Sequence, residues 1–216
     1  MATTSQGATA ETTAGAHSHE VLPEAPSVVG NPATIGLPSF MVGSIALALV
    51  LTGYVPATAG GASIPIIMTA TGLGQTIAAI WAASLAQNAV ASVFGIFSGF
   101  WLSYAALVLG LTHNWFGVKP ADAVATQKLF LLSWLILVAV LVLVTLRLPL
   151  AFTVLFVLVD LALLFVFLGT ANASTGMVKV GGYLVFAFVA VGVWLFASAM
   201  SEETGGKALP MGKPIM

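Results

Sequence analysis

The sequence predicts an all-α integral membrane protein, a bundle of six transmembrane helices. Of its 216 residues, 59% are hydrophobic and 6% are charged, whereas soluble domains carry roughly 25% charged residues. Six apolar runs follow one another between residues 37 and 200. Each is close to the ~20 residues that a helix needs to cross a bilayer. A multi-pass protein of the cell membrane is therefore expected.

Short breaks between the runs contain residues that end helices. A segment bounded by Pro56 and Pro65 follows the first run, and residues 112–127, with Lys119 and Pro120, follow the third. Proline ends a helix because it lacks the N–H donor that the next turn needs. The predicted spans are 37–55, 64–85, 89–111, 129–146, 148–169 and 181–200.

Two of the boundaries are weakly marked. Gln87 and Asn88 alone divide the second run from the third, and residues 129–169 would be one continuous run without Arg147 and Pro149. That length is too great for one crossing, so a turn is expected at the arginine and proline. Five or seven crossings remain the alternatives to six. The loops on the two sides of the predicted bundle carry equal numbers of Lys and Arg, so the charge difference between them does not predict the orientation of the protein in the membrane.

The two ends of the chain differ from its middle. Residues 1–30 are rich in Ala, Thr, Ser, Gly and Glu and contain neither Lys nor Arg. This composition predicts a disordered tail, and a secretory signal is not expected because the segment lacks a basic start and an apolar centre. Residues 31–200 form the predicted transmembrane domain, and residues 201–216 a short polar C-terminal tail.

Composition also excludes several classes of function. A net charge of −1 provides no basic surface for nucleic acid. Cysteine is absent, and His17, His19 and His113 are scattered, so the sequence predicts no metal site. Phosphate-binding and dinucleotide-binding motifs are missing, and the spans hold no pair of titratable groups for acid–base chemistry. We expect no cofactor and no enzymatic activity.

Two polar residues within the spans are candidate pathway groups. Asp160 is the one ionisable side chain inside the predicted runs, and a charge at the bilayer centre is costly enough to mark a pathway or a partner. The alternative is a protonated aspartate that only joins helices by a hydrogen bond. Gln75 brings an amide that needs partners in lipid. Because it follows Gly72 and Gly74, close helix packing is its alternative explanation.

Two segments resemble a known family. Residues 31–37 read Asn-Pro-Ala-Thr-Ile-Gly-Leu and residues 98–103 read Ser-Gly-Phe-Trp-Leu-Ser. They are similar to two signatures of the acetate uptake transporter family, which includes succinate-acetate permeases and fungal ammonia/acetate transport proteins. The resemblance extends from about residue 31 to the end. Its first segment supplies a predicted pore-entrance motif, Asn31, Pro32, Gly36 and Leu37.

The entrance motif also has a physical explanation. The side-chain oxygen of Asn31 can cap a helix, and Pro32 suits a first helical turn. Exposed N–H groups at such a terminus attract anions. The alternative is that the motif only starts the first helix.

The resemblance implies a homohexamer in which each subunit has its own pore. Apolar side chains from the first, third and fifth helices narrow that pore, at the positions of Phe40, Phe97 and Val159. The sequence departs from the family at Thr34, which replaces a second proline. It also has phenylalanine at position 97 in place of tyrosine, and valine at position 159 in place of leucine.

The function implied is passage of small monocarboxylate anions, acetate first, with a proton or as the neutral acid. The expected partners are this carboxylate substrate, the lipid bilayer and further copies of the chain. Two alternatives remain open at this stage. One is a membrane protein of signalling or assembly without significant flux, and the other is a passage for ammonia or another small neutral solute.

Overall fold

The computed structural model describes residues 30–59 and 61–216. The predicted disordered tail therefore lies, apart from residue 30, outside the described residues. Within them the secondary structure is helical and no strand occurs. Six helices are long and apolar enough to cross a membrane. The prediction of an all-α six-helix membrane bundle is confirmed.

The six helices lie close to the predicted spans. The second begins with π-helical turns over Ile66–Leu73 and continues as an α-helix over Gly74–Ser84. Short 3₁₀ turns at Ala57–Ala59 and Pro120–Asp122 occupy the two longer connections. The helices are α1 Ala33–Thr52, α2 Ile66–Ser84, α3 Asn88–His113, α4 Ala123–Thr145, α5 Leu150–Ala171 and α6 Thr175–Glu203.

Three helices begin earlier than their apolar runs. At α1, the Ala33 N–H donates to Asn31 Oδ1 over 3.2 Å. At α6, the Met177 N–H donates to Ser174 Oγ over 3.4 Å, and α4 begins directly after the turn that contains Pro120. At α1 and α6 these side-chain oxygens satisfy backbone donors that the first turn leaves free. Hydropathy does not detect such groups, so the predicted starts fell inside the helices.

Both weakly marked boundaries are turns. Between α2 and α3 the chain reverses over residues 85–87, where Ala86 adopts a left-handed conformation with φ of 56°. Between α4 and α5 the Leu148 N–H donates to the Thr145 carbonyl over 2.8 Å, and Pro149 precedes the first residue of α5. Consecutive helices are therefore antiparallel. We call the side at which α1, α3 and α5 begin the first face, and the opposite side the second face.

In the bundle, α6 packs against α5 and α1, and α4 packs against α5. α2 lies between α1 and α3, where glycine allows close approach. A Cβ at Gly72 would meet the side chain of Leu102 on α3, and one at Gly74 would meet Ser39 on α1. These small residues of α2 thus serve contacts within one subunit.

Residues after α6 fold back onto the bundle at the first face. The Leu209 N–H donates to Ser198 Oγ over 2.9 Å, and the Ala151 N–H donates to the Met211 carbonyl over 2.9 Å. Further on, the Ile215 N–H donates to the Leu146 carbonyl over 3.1 Å. The polar C-terminal segment is thereby attached to the turn between α4 and α5.

Candidate functional site

An apolar cavity of about 60 Å³ lies inside the bundle. Five helices contribute to its wall, and the three residues of the predicted constriction all belong to it. The lining residues are Phe40, Leu47 and Leu51 of α1, Phe97, Phe100, Trp101 and Tyr104 of α3, Phe130 and Leu131 of α4, Val159, Ala162, Leu163 and Val166 of α5, and Val185 and Phe188 of α6.

Aromatic rings close the first-face end of this cavity. The Phe40 ring lies 5.2 Å, centroid to centroid, from the Phe97 ring in an edge-on arrangement and 5.4 Å from the Phe188 ring. The Phe97 ring is also 5.7 Å from the Phe156 ring. Aromatic pairs at 4.5–7 Å are in direct contact. A solute can pass between these rings only if at least one of them moves.

The chain directions give the cavity a clear axis. Phe40, Phe97 and Val159 are the lining residues nearest the first face on their helices, while Leu51 and Val166 are the last toward the second face. Along α1 this separation is about 17 Å at a rise of ~1.5 Å per residue. The cavity with its aromatic closure thus extends over roughly half of a bilayer core of ~30 Å.

Polar atoms are sparse in the cavity wall. Trp101 and Tyr104 are the lining residues that carry a polar group. The Trp101 side chain is 2% exposed, and its Nε1–H has no acceptor among the described residues. Its ring contacts Phe100 at 4.9 Å and Phe40 at 6.3 Å. The indole N–H is thus a buried hydrogen-bond donor whose acceptor the described residues do not supply.

A second, wider cavity opens at the second face. It has a volume of about 430 Å³ and lies between the ends of α1 and α5 and the start of α6. Leu51 lines both cavities, so the two meet at this side chain. The lining residues are Val50, Leu51, Gly53, Val55, Gly169, Ala173, Ser174, Thr175, Val178 and Lys179. We call this cavity the vestibule.

Gln75 lies in a buried polar position on α2. It is fully buried, and neither Oε1 nor Nε2 has a hydrogen-bond partner among the described residues. One turn earlier, the Thr71 hydroxyl is also buried and without a partner, packed against Gly43 of α1. Such groups are rare because an unsatisfied buried amide or hydroxyl is costly. Gln75 does not line either cavity.

Asp160 lies on a side of α5 between the cavity face and the exposed surface. Although Val159 lines the apolar cavity, Asp160 does not, because successive helical residues point about 100° apart. The side chain is half-buried, with Oδ1 buried and without a partner among the described residues. Of its neighbours on the helix, Phe156 and Leu163 are buried, whereas Val157 and Leu161 are exposed. The carboxyl is therefore not part of the cavity wall that Phe40 and Phe97 form.

The entrance motif fixes the start of α1. Besides the Asn31 cap, Pro32 is buried, and Gly36 leaves space for the Phe94 ring of α3. The Gln87 side-chain N–H donates to the Gly30 carbonyl over 3.2 Å, which attaches this start to the turn between α2 and α3. Leu37 packs against the core. None of the four motif residues lines either cavity, and anion attraction by the motif stays a prediction.

Sequence reasoning missed several residues of this region. Phe156 was detectable, because it precedes Val159 by three residues and so shares its helix face. Trp101 was part of a recognised segment, yet nothing in the sequence showed that its N–H lacks an acceptor. Phe188 and Lys179 gave no local signal. α6 brings both to the cavities through tertiary packing.

Comparison with known proteins gives concordant results. A family profile described as the GPR1/FUN34/yaaH family matches residues 14–207. The meiotically up-regulated gene 86 protein of Schizosaccharomyces pombe is 31% identical over 185 residues, with 79% of this chain and 58% of that protein covered. Acetate permease A of Emericella nidulans is 28% identical over 177 residues, with 74% and 58% covered. The chain thus spans less than two thirds of the length of these relatives.

A solved structure shares the fold. The bacterial acetate channel SatP superposes with a TM-score of 0.75 at 20% sequence identity, and the match covers 85% of this chain and 99% of that chain. At this identity the likeness establishes the arrangement of the six helices.

Proposed function

The chain belongs to the GPR1/FUN34/yaaH family, and on this premise we propose that it passes small monocarboxylic acids, acetate first, across a membrane. It is a multi-pass membrane protein with the fold of an acetate channel. One relative is named for acetate permeation. The single observation that carries the proposal for this chain is its apolar cavity closed by aromatic rings.

The cavity has the right size for such a substrate. A cavity needs roughly 10–15 Å³ to hold one water molecule, and about 60 Å³ is several times that volume, which suits a small solute. Acetate has four non-hydrogen atoms. Longer acids would have to displace the rings of Phe97 or Phe100, which supports selection by size.

Electrostatics favours the neutral acid at the narrow end. A carboxyl with an ordinary pKa of ~4.3 is protonated at pH 7 at a cost of about 4 kcal/mol. Bringing an unpaired carboxylate into an apolar interior costs several kcal/mol or more, up to ~20 kcal/mol in the idealised limit. The cavity wall holds no cation. Protonation is thus the smaller cost, and we propose that a proton crosses with each acid.

The aromatic contact is the proposed gate. Phe40 and Phe97 contact each other edge-on, and Val159 completes the wall at their level. Apolar rings exclude water when they are closed, and side-chain rotations open them. Trp101 lies directly behind this contact, where its N–H can donate to the carbonyl oxygen of the acid.

Gln75 is proposed as a polar group of the first-face half of the path. It lies on the helix whose Thr71 and Gly74 pack against α1 near Phe40. Its two unsatisfied amide atoms support a role in binding the carboxyl group or water that accompanies it. π-helical turns, which often occur at functional sites, precede it directly.

Assembly into a homohexamer is also proposed, from the family resemblance. In the described residues, α2 and α4 carry large exposed side chains on their outer surfaces, including Ile80, Ile136 and Leu143. The position of Asp160 favours a neighbouring subunit, rather than lipid, as the surroundings of this side of α5. A half-buried carboxyl facing hydrocarbon is costly, and a second copy could provide its hydrogen-bond partner.

Uptake into liposomes that contain only this protein tests the proposal. Labelled acetate should enter faster than into protein-free vesicles, with a rate that increases as the pH is lowered. Uptake equal to that of protein-free vesicles would favour signalling or assembly without flux. Passage of ammonia without acetate would favour the neutral-solute alternative.

A further inference from the structure

The vestibule at the second face combines open space with a single charge. Its volume of about 430 Å³ is several times that of the apolar cavity. Among its lining residues Lys179 is the one that carries a charge. Because Leu51 lines both spaces, its side chain lies between the vestibule and the apolar cavity.

The ammonium of Lys179 is free to meet an anion. In the part of the chain that the structure describes, it takes part in no ion pair or hydrogen bond. Its stem lies over the end of α1, where a Cβ at Gly53 would be 3.7 Å from Lys179 Cε. Two terminal carbonyls of α1 have backbone donors, since Leu49 and Val50 accept from the backbone N–H groups of Tyr54 and Gly53 over 3.0 and 3.1 Å. Lys179 donates to neither of them.

Helix ends of both signs line the vestibule. α6 begins there with Ser174 and Thr175, and the N-terminus of a helix carries a partial positive charge. α1 and α5 end there, and their C-termini carry partial negative charges. The attraction for an anion is therefore that of the Lys179 ammonium, in contrast to the uncharged wall of the apolar cavity beyond Leu51.

We infer that the vestibule is a collecting site for carboxylate anions, with Lys179 as the residue that draws them to the mouth of the apolar cavity. This inference rests on the proposed function and deepens it. A small carboxylic acid is mostly ionised at neutral pH. The anion is therefore the abundant form in solution, and the vestibule concentrates it before the proton joins it at the apolar cavity.

A single introduced cysteine, to which reagents of either charge can be attached, tests the inference. The chain has no cysteine of its own, so the reagents would modify that position alone. Lys179→Cys should raise the KM for acetate about fivefold, with a smaller change in Vmax. Aminoethyl methanethiosulfonate, which restores an ammonium, should return the KM toward that of the wild type. Sulfonatoethyl methanethiosulfonate, which adds an anion, should raise it further. High salt should reduce these differences, because the Debye length falls from ~8 Å at 0.15 M to ~3 Å at 1 M.

Lys119→Cys is the matched control. Lys119 lies at the same face in the loop before α4, is exposed, and lines neither cavity. Its variant loses the same charge, and its KM should respond weakly to both reagents. The inference is overturned if the Lys179 and Lys119 variants respond alike. A lysine that only stabilised the fold would change the amount of folded protein without this dependence on the sign of the added charge.

A measurement without flux separates this inference from the proposed function. In detergent-solubilised wild-type protein, acetate should slow acylation of Lys179 by an amine-reactive ester and leave Lys119 unaffected, as read by peptide mass spectrometry. Protection of Lys179 without acetate uptake in liposomes would support the collecting site and contradict the proposed transport. Equal labelling of both lysines with and without acetate would overturn the collecting site, even in a protein that transports.

Discussion

Truncation of one ring at the aromatic contact tests the gate most directly. Phe97→Ala removes a side chain that is 4% exposed and lies in the cavity wall. Selection by size should relax, because the space that the ring occupied becomes available to the alkyl chain of a longer acid. The acid form of butyrate carries two more methylene groups than that of acetate.

The magnitude follows from the contacts of the ring. A pocket that is too small for one additional methylene disfavours the longer substrate by at least about 1 kcal/mol in the free energy of the transition state. Two methylenes therefore cost at least about 2 kcal/mol, which is about 30-fold in rate. The acetate-to-butyrate ratio should fall by about that factor in Phe97→Ala. The variant also loses ring contacts with Phe40, Phe100 and Phe156. At ~0.5–1.5 kcal/mol for each pair, its stability should fall by about 2–4 kcal/mol.

The assay compares labelled acetate and butyrate in liposomes, each corrected for protein-free vesicles because longer acids diffuse faster through lipid. Phe94→Ala is the control. Phe94 is one turn earlier on α3, is 7% exposed, and packs over Gly36 outside the cavity lining. It should lose stability and keep the substrate ratio. An unchanged ratio in Phe97→Ala, or an equal change in both variants, would refute the placement of the gate.

Trp101→Phe keeps the aromatic packing and removes the N–H. The KM for acetate should therefore rise severalfold, while the thermal stability stays near that of the wild type. An unchanged KM would show that the indole N–H has no role in binding. Gln75→Leu should lower acetate flux about tenfold or more, since the buried amide proposed as a polar group of the path is lost. Undiminished flux with higher stability would show that the position serves packing. Asp160→Asn cannot ionise, and the described charged residues of α4 and α6, Lys128, Lys179, Glu202 and Glu203, lie toward the helix ends. Because an ionised Asp160 would weaken the proposed contact with a neighbouring subunit, transport by Asp160→Asn should match that of the wild type at low pH and fall less as the pH rises. Coincident pH profiles would show a structural hydrogen bond. Native mass spectrometry in mild detergent should give six copies, and a monomer that retains transport would contradict the assembly.

The number and type of helices were predictable from composition and hydropathy. A bilayer requires about 20 apolar residues for each crossing and internal hydrogen bonds for the whole backbone. These two constraints leave helices as the solution for runs such as 37–55 or 148–169. The turn at Arg147 and Pro149 was also predictable from the sequence, because a charge and a proline cannot continue an apolar helix.

The ends of the helices were less predictable. α1, α4 and α6 each extend beyond their apolar runs, and the start of α6 depends on the hydroxyl of Ser174. Headgroups and water satisfy polar side chains there, so hydropathy no longer reports where the helix ends.

The resemblance predicted that Phe40, Phe97 and Val159 form a constriction, and the three residues line one cavity in the structure. It could not identify the partners of those positions. Phe188 comes from α6, and its ring lies 5.4 Å from that of Phe40, about 150 residues away in the sequence. No local pattern encodes such a contact, because it depends on how α6 packs against α1.

The directions of neighbouring side chains were likewise decided by the tertiary structure and not by the sequence. The sequence selected Val159 and Asp160 together, yet the first lines the cavity and the second is half-buried outside the cavity lining. Lys179 appeared in the sequence as one loop charge among six, and tertiary packing makes it the charged residue of the vestibule. The sequence determined that the described part of the chain forms six helices able to cross a membrane, because each of them depends on the solubility of its own residues. Tertiary structure decided which side chains meet, because cavities and contacts arise between helices whose relative positions no single segment specifies.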